Sequence, residues 1–499
     1  MASLLQSLQE RLQDPSIPWQ AAVLGVVVLA LAFEEGIRAR QRPYLSSILH
    51  PSLPAALKPY LSSFDQPEDS HRKSQAYASA KLRFASIFDV LDTLEIVVLL
   101  TGVAGPVVAA LFGPDKVQGE GWTLLKGFWD AAGALLPARQ TGEIKQSMTF
   151  VALMTLVGSV LAIPKDWYKH FRLEEEHGFN KMTVATFWKD WIKGLLLSLA
   201  LEVPLIAGLI KCIHYAGQDA ILRIVTYTIA FMWVALSMLP LFVVMLTSPT
   251  SLSHSFCVQL VMVPAYPALI QPLFNTFTLL PEDSPVFPRV KALAEKLKFP
   301  LGKVWIINGS LRSSHSNAYF YGLPGFNKNI VIFDTLLEKS SPDEVEAILA
   351  HELGHWKGNH IPVLLVTGLA RLAFSLICYS IFLTNRPLLA AFGFPRSSSG
   401  EAGPTIIALF LAATLFTPLS AFLTFLTNTV TRALEYDADA FAAKLSPATG
   451  ENLKGALIAI HRDNAAVYEV DPVYSAYHHN HPTLVERLQA LDARLEKEK

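Results

Sequence analysis

The stretch "ILAHELGHWKGNH", residues Ile348 to His360, places His351 and His355 four residues apart and puts Glu352 directly after the first histidine. On a helix, residues four apart lie on one face, so both imidazoles can reach a single tetrahedral ion. An ion held in this way makes water more acidic, and an adjacent glutamate can take its proton. The pattern therefore predicts a zinc-dependent peptidase site on a helix.

Residues just before the motif predict that helix and a small sheet. Ser341, Pro342 and Glu344 have the spacing of an N-cap, a first helical residue and a capping-box glutamate. Three short segments rich in β-branched and aromatic residues precede them and are typical of strands. They are Lys303–Asn308, Asn317–Gly322 and Asn329–Asp334.

The overall composition is that of a membrane protein. Of the 499 residues, 52% are hydrophobic and only 17% are charged. The 41 basic and 42 acidic residues nearly cancel, so no overall charge favours binding to nucleic acid. A helix needs roughly 20 apolar residues to cross a bilayer, and seven windows approach that length. They are residues 17–34, 90–112, 147–163, 194–212, 222–247, 361–383 and 404–430.

The distribution of basic residues predicts the orientation of these spans. Residues 34–87 hold eight Lys and Arg and residues 164–193 hold six, whereas the alternate loops hold four and two. Cytoplasmic loops collect such residues, so we expect an external N-terminus and a cytosolic C-terminus. A further apolar stretch, 255–274, contains three prolines, and we expect it to be re-entrant, interfacial or an unusual extension.

A catalytic zinc needs a third protein ligand, and the best candidate is Glu435 in "TRALEYDADAFAA". Asp439 follows one helical turn later and could orient a ligand histidine. The alternative is that both belong to a solvated acidic helix face. Because residues 361–430 form a predicted membrane hairpin, the chain returns to the same side of the bilayer before Glu435. This placement favours the ligand hypothesis.

The segment "YHHNHPTLVERLQAL" predicts an amphipathic helix with His481 and Arg487 near its start. Either side chain could donate a hydrogen bond to the oxyanion of a tetrahedral intermediate. The alternative is a histidine cap and a surface arginine. His478 and His479 are expected to be exposed.

Acidic residues also occur in or beside the predicted spans. They are Glu202, Asp89, Asp92 and Glu95. Such groups usually face a bundle interior or water, or they hydrogen-bond a neighbouring helix. They would also fit a channel or transporter whose metal motif is vestigial or structural.

Taken together, "HELGHW", "RALEYDAD" and "HPTLVERLQAL" resemble the Ste24 type of CaaX prenyl protease, integral membrane zinc metalloproteases of the M48 family. Similar segments extend over most of the chain beyond about residue 70. They include Leu173–Thr183, Gln271–Glu282 and Arg312–Leu337. The segment of residues 246–265 is longer than the corresponding segment of the family pattern. The resemblance therefore does not assign a structure to the exit of the fifth span.

The resemblance implies a mainly α, polytopic membrane protein. Seven transmembrane helices would form a barrel around a water-filled chamber, with a small α+β zincin-like metalloprotease domain. Residues 1–280 would hold spans one to five. Residues 281–360 would form the first part of the protease domain and residues 361–430 the membrane hairpin. Residues 431–499 would form the second part of the protease domain.

The resemblance also assigns functional residues. It implies that His351, His355 and Glu435 bind one Zn²⁺ per chain and that Glu352 is the general base. It also implies that Asp439, His481 and Arg487 are further catalytic residues. Asn317 and Ala318 would bind substrate on an edge strand. A strand edge offers free amide and carbonyl groups to an extended peptide, which favours the last assignment.

The implied activity is removal of the last three residues from prenylated CaaX proteins. Family members work at the endoplasmic reticulum membrane or the inner nuclear membrane, and fungal members also cut a mating-pheromone precursor near its N-terminus. The expected partners are prenylated C-termini and the lipid bilayer, and a monomer fits the pattern as well as an oligomer. A membrane quality-control protease that clears misfolded or translocon-stalled proteins is the alternative.

Overall fold

The computed structural model describes residues 2–63, 66–117, 119, 121–137, 142–216, 227, 271–322, 327–394 and 403–497. The helices before the sheet are α1 (Ala2–Leu12), α2 (Trp19–Gln41), α3 (Pro67–Leu99), α4 (Gly105–Phe112), α5 (Leu124–Ala134), α6 (Glu143–Tyr168), α7 (Val184–Ala216) and α8 (Gln271–Phe274). The later helices are α9 (Phe287–Leu297), α10 (Asp334–Lys339), α11 (Pro342–Lys357), α12 (His360–Ser380), α13 (Arg386–Ala390), α14 (Thr405–Leu415), α15 (Thr417–Leu445), α16 (Pro447–Asp463), α17 (Pro472–His478) and α18 (Leu484–Lys497).

Several helices are long and apolar enough to cross a bilayer. Within the described residues these are Trp19–Leu45, Glu143–Glu174, Val184–Ala216 and His360–Ser380. They contain, or closely match, four of the predicted windows. The predicted span at 222–247, the lengthened segment at 246–265 and most of the stretch at 255–274 lie outside the described residues.

The predicted continuous span at 90–112 is wrong, because the helix breaks in its middle. Helix α3 ends at Leu99 and α4 begins at Gly105, with Pro106 in its first turn. Proline lacks the backbone N–H that a continuous helix would need there. Between the helices, the Thr101 carbonyl accepts a hydrogen bond from the Leu124 amide, which fixes the turn against the start of α5.

The predicted span at 404–430 is bent rather than straight. Helices α14 and α15 meet at an angle of 64° with Phe416 between them. Pro418 lies in the first turn of α15 and cannot continue the hydrogen-bond ladder from α14. If the pair crosses the membrane as one unit, it forms a fifth candidate span among the described residues.

Three of the acidic residues noted beside the spans bind neighbouring helices. Asp89 pairs with Arg38, Asp92 accepts from Lys165 at 2.6 Å, and Glu202 accepts from the Thr155 hydroxyl at 2.8 Å. Polar contacts of this kind are favourable where hydrocarbon offers no other partner. These residues therefore connect helices α2, α3, α6 and α7.

The sheet contains the three predicted strands and one that was not predicted. Its strands are β1 (Phe277–Leu279), β2 (Leu301–Ile307), β3 (Ala318–Tyr321) and β4 (Lys328–Phe333). Their order is β1-β2-β4-β3, with β2 and β4 parallel and the other pairs antiparallel. Strand β1 is only three residues long, too short for its alternation to be recognised. Strand β3 forms an edge of the sheet.

One hydrophobic core joins the sheet to the C-terminal helices. It combines residues of α9, β2, β3, β4 and α11 with residues from the end of α15, α16 and α18. Among its fully buried members are Ile330 and Ile332 of β4, Leu349 of α11 and Leu491 of α18. Segments on either side of the α12–α15 hairpin therefore fold as one unit, which brings α11 and α15 together.

Candidate metal centre

The HExxH motif lies on α11, and this helix begins where the sequence predicts. The Ser341 hydroxyl accepts from the Glu344 amide, and the Glu344 carboxylate accepts from the Ser341 amide at 2.8 Å. This capping box satisfies two otherwise unpaired amides at the helix start. It fixes the start of α11 and so the face on which His351 and His355 lie.

Three potential ligands converge between α11 and α15. The Nε2 atoms of His351 and His355 are 3.2 Å apart, and the Glu435 carboxylate oxygens lie 3.5 Å from the first and 3.3 Å from the second. Among the described residues, these two histidines and one glutamate form a group of potential ligands that could hold a metal ion. Glu435 is buried, with 4% of its surface exposed, so it is not part of a solvated acidic face.

The spacing of these donors fits a small tetrahedral ion. Bonds of about 2.0–2.1 Å to tetrahedral zinc imply donor separations of roughly 3.3–3.4 Å. The two Nε2 atoms are 3.2 Å apart, and each lies 3.3 to 3.5 Å from a different oxygen of the Glu435 carboxylate, which is close to that value. Two imidazole nitrogens and one carboxylate oxygen are also the donor types found in zinc peptidase sites. The residues present therefore fit a zinc-sized divalent ion.

Gly354 allows α15 to come close enough to α11 to supply Glu435. A Cβ at this position would lie 3.1 Å from the Cα and carbonyl oxygen of Ala438 and 3.2 Å from the Phe441 ring. Backbone atoms cannot yield as a flexible side chain can. The lack of a side chain at Gly354 thus allows α11 and α15 to pack closely at this position.

Each histidine of the HExxH motif is held through its second ring nitrogen. Asp439 lies 2.9 Å from His351 Nδ1, and His360 Nδ1 lies 2.8 Å from His355 Nδ1. His360 in turn contacts the Asp437 carboxylate through Nε2 at 3.1 Å. Such partners fix ring orientation and direct Nε2 toward the metal. Sequence reasoning did not predict roles for His360 and Asp437, although His360 ends the motif stretch itself.

Replacing His360 with alanine should weaken metal binding without removing a ligand. His360 is 2% exposed and orients His355, and loss of such a partner typically costs 10- to 100-fold in metal affinity. Competition with a chromophoric chelator would measure the change. His170→Ala, on the distant π-helical turn after α6, is a matched control expected to keep the original affinity. An unchanged affinity in His360→Ala would show that packing alone orients His355.

The carboxylates around His351 change its acidity in the metal-free protein. Desolvation disfavours its charged form, but the contacts with Asp439 and Glu435 outweigh this effect and raise the pKa of His351 to about 9. Burial raises the pKa of Glu352 above its usual value as well. A positive ion in the site would compete directly with the proton on His351.

Metal affinity should therefore rise with pH up to about 9. Below the pKa of His351, binding must displace one proton, so the affinity should fall about tenfold for each unit of pH. Chelator competition at pH 6, 7 and 8 would measure this slope, and release of one proton per bound ion should accompany it. A flat profile over that range would contradict the assigned protonation of His351.

Arg487 and His481 occupy different positions beside the cluster. Arg487 donates to both oxygens of Asp439 at 2.6 and 2.8 Å and is largely buried, so it is not a surface arginine. His481 places Nδ1 2.8 Å from Glu435 and leaves over half of its side chain exposed. Arg432, which sequence reasoning missed, donates to the His481 carbonyl at 3.2 Å and to Glu486 at 2.9 Å.

The other predicted residues are placed as follows. Glu352 is half-buried on α11 beside the two histidines. Ala318 is buried at the start of the edge strand β3, and Asn317 is exposed just before it. His478 and His479 are only partly exposed, contrary to expectation, because α17 packs between α2 and α15 and turns them toward the protein.

Two family models match the chain over separate regions. Peptidase family M48 matches residues 283–495, which include the converging residues His351, His355 and Glu435. The model described as CAAX prenyl protease N-terminal, five membrane helices, matches residues 45–246.

Similar proteins cover the whole chain. CAAX prenyl protease 1 of Saccharomyces cerevisiae is 33% identical over 503 residues and aligns over 99% of both chains. A CAAX prenyl protease 1 homolog of Arabidopsis thaliana is 34% identical over 96% of this chain and 98% of its own. The crystal structure of S. mikatae Ste24p matches with a TM-score of 0.78 and 31% identity, covering 96% of this chain and 100% of that one. The chain therefore belongs to the CAAX prenyl protease members of peptidase family M48, and it is a multi-pass membrane metalloprotease.

Proposed function

We propose that this protein is a zinc endopeptidase that removes the last three residues from prenylated CaaX proteins. The convergence of His351, His355 and Glu435 from two helices beside the membrane hairpin carries the proposal. The names of the similar proteins, CAAX prenyl proteases, supply the substrate class. A second cut in a pheromone-type precursor would use the same site.

In the proposed mechanism, His351, His355 and Glu435 would hold Zn²⁺, which would supply Lewis-acid chemistry at the scissile carbonyl and the attacking water. Glu352 takes the proton of the attacking water and passes it to the departing amine. In the metal-free protein burial raises the pKa of Glu352, which favours its accepting the proton.

His481 and Arg487, which lie beside the metal centre, would have different roles. The exposed part of His481 can donate to the oxyanion that develops on the scissile carbonyl. Arg487 uses its guanidinium to hold both oxygens of Asp439, which leaves it a positioning role. Asp439 in turn orients His351. We propose that the edge strand pairs with the extended substrate at Asn317 and Ala318.

The proposed setting is the endoplasmic reticulum membrane, with the C-terminus in the cytosol and seven helices around a water-filled chamber. A prenyl chain partitions into lipid, whereas the peptide bond beside it needs water and the metal. Residues 281–360 and 431–499 share one hydrophobic core, which supports the proposal that they form one domain separate from the membrane bundle. A site at the end of a membrane hairpin suits both requirements.

A direct test compares a farnesylated CaaX peptide with its unprenylated counterpart. The proposal expects release of the C-terminal tripeptide from the farnesylated peptide, loss of release in the presence of a zinc chelator, and recovery on adding Zn²⁺. Equal cleavage of both peptides would instead favour the quality-control alternative. Absence of bound metal in the active, purified protein would refute the mechanism.

A further inference from the structure

A cavity of about 600 Å³ opens beside the metal centre, on the side of His481 and Arg487. It lies between α3, the end of α16 and the segment around α17 and the start of α18. Apolar side chains form much of its wall, and these include Leu82, Ile460 and Val467. Among the described residues that line it there is no aspartate or glutamate, whereas lysine, arginine and histidine are present. The cavity therefore suits an apolar ligand that carries a negative charge.

The orientation of β3 predicts which end of a substrate reaches this cavity. A peptide that adds antiparallel to β3 runs from Tyr321 toward Ala318, so its C-terminal residues continue past the start of the strand. There, His315 Nδ1 lies 3.0 Å from the side chain of Asn464. Ala466 follows closely in the chain and lines the cavity. The released side of a substrate thus points into the cavity.

Lys81 is the cation available to a ligand in this cavity. Its Nζ lies 3.9 Å above the Tyr77 ring, and within the described chain it forms no ion pair with a carboxylate. Arg487, in contrast, already holds Asp439. Tyr77 is fully buried and donates to Glu174 at 2.8 Å, which fixes the ring under Lys81.

Three of the four histidines that line the cavity among the described residues do not provide a positive charge near neutral pH. Burial lowers the pKa of His461, His478 and His479 to about 4 in each case. Neighbouring positive charges act in the same direction, including that of Lys81 on His461 and His479. Burial lowers the pKa of Lys81 below its usual value, and the nearby Glu174 carboxylate opposes this effect. Lys81 is thus the lysine of this wall, and among the described residues no carboxylate forms an ion pair with it.

We propose that the cavity binds the three residues that the enzyme releases and that Lys81 binds their terminal carboxylate. The inference rests on the proposed function and deepens it. Three extended residues span about 10 Å, which is comparable with the width of a cavity of this volume. The apolar wall accommodates the two aliphatic side chains, and the Lys81 ammonium group binds the carboxylate at the end of the chain. Lys81 would thus favour cleavage near a free C-terminus over cleavage at an internal peptide bond.

The test compares a farnesylated peptide ending in Cys-Val-Val-Ala as the free acid with the same peptide as the C-terminal amide. For the original protein, kcat/KM should favour the acid by about 10- to 100-fold, as expected for a hydrogen bond between charged groups. The difference should lie mainly in KM, because the carboxylate is bound equally before and during the reaction. In Lys81→Met the ratio of acid to amide should fall to about one, and Lys81→Arg should restore part of it.

The ratio within each variant does not depend on how much protein folds. Lys73→Met, an exposed position on α3 outside the cavity, should keep the original ratio. Equal cleavage of acid and amide by the original protein would overturn this inference while leaving the proposed function intact. A Lys81→Met variant with the original ratio would overturn it as well. Failure of the original protein to cleave either peptide would overturn the proposed function and, with it, the inference.

Discussion

Replacement of Glu352 with glutamine should abolish most turnover of a farnesylated CaaX peptide and leave the metal in place. Glutamine has nearly the same shape but cannot accept the proton of the attacking water. General base catalysis typically contributes 10²- to 10⁴-fold, so we expect kcat to fall by about that factor with KM little changed. Steady-state kinetics together with metal analysis of the same preparation would measure both effects.

Glu338→Gln provides the matched control for this change. Glu338 is an exposed glutamate on α10, outside the metal cluster, so its replacement should keep the original kcat. The thermal midpoint of Glu352→Gln should also stay close to that of the original protein, since within the described part of the chain no side-chain hydrogen bond of Glu352 supports the fold. Substantial turnover by Glu352→Gln would exclude it as the general base.

Replacement of Glu435 with glutamine should remove the metal itself. The neutral amide is a much weaker ligand than the carboxylate, and the two remaining histidines lie on a single helix. We expect well under one metal ion per chain after dialysis and a loss of at least about 10³-fold in kcat/KM, because the ion supplies several kcal/mol of transition-state stabilisation. Elemental analysis of the purified variant and peptide cleavage would test both parts.

Glu451→Gln serves as the control on the following helix. Glu451 pairs with Lys454 at 2.8 Å on the surface of α16, away from the cluster, and its replacement should leave the metal content unchanged. Excess Zn²⁺ should partly restore activity to Glu435→Gln if the histidines still bind weakly. A Glu435→Gln protein that keeps one tightly bound ion would mean that the third ligand lies elsewhere.

Much of the fold could be predicted from local sequence. Apolar windows identified α2, α6, α7 and α12, because a bilayer demands roughly 20 apolar residues from each span. The same argument failed at residues 90–112 and 404–430, where proline interrupts an apolar run without making it less apolar. Hydropathy measures solvent preference, and it does not report whether the backbone hydrogen-bond ladder continues.

The metal centre divides in a similar way. His351 and His355 follow from a spacing within one helix, and Glu435 was predicted only with the help of the membrane hairpin. His360 and Asp437 were missed because the ring of His360 reaches His355 around the end of α11, at Gly358 and Asn359. Asn359 has a positive φ of 54°, a local geometry that sequence spacing alone does not predict.

The sequence by itself determined the helix that presents the two histidines, its capped start and the apolar character of most spans. Each of these depends on residues within a few turns of one another, where helical periodicity relates spacing to position. Only the tertiary structure decided that Glu435 meets His351, 84 positions earlier in the chain, that Arg487 binds Asp439, and that Lys81 faces the cavity. Those relations arise when α3, α11, α15 and α18 pack together, and packing depends on all of their surfaces at once.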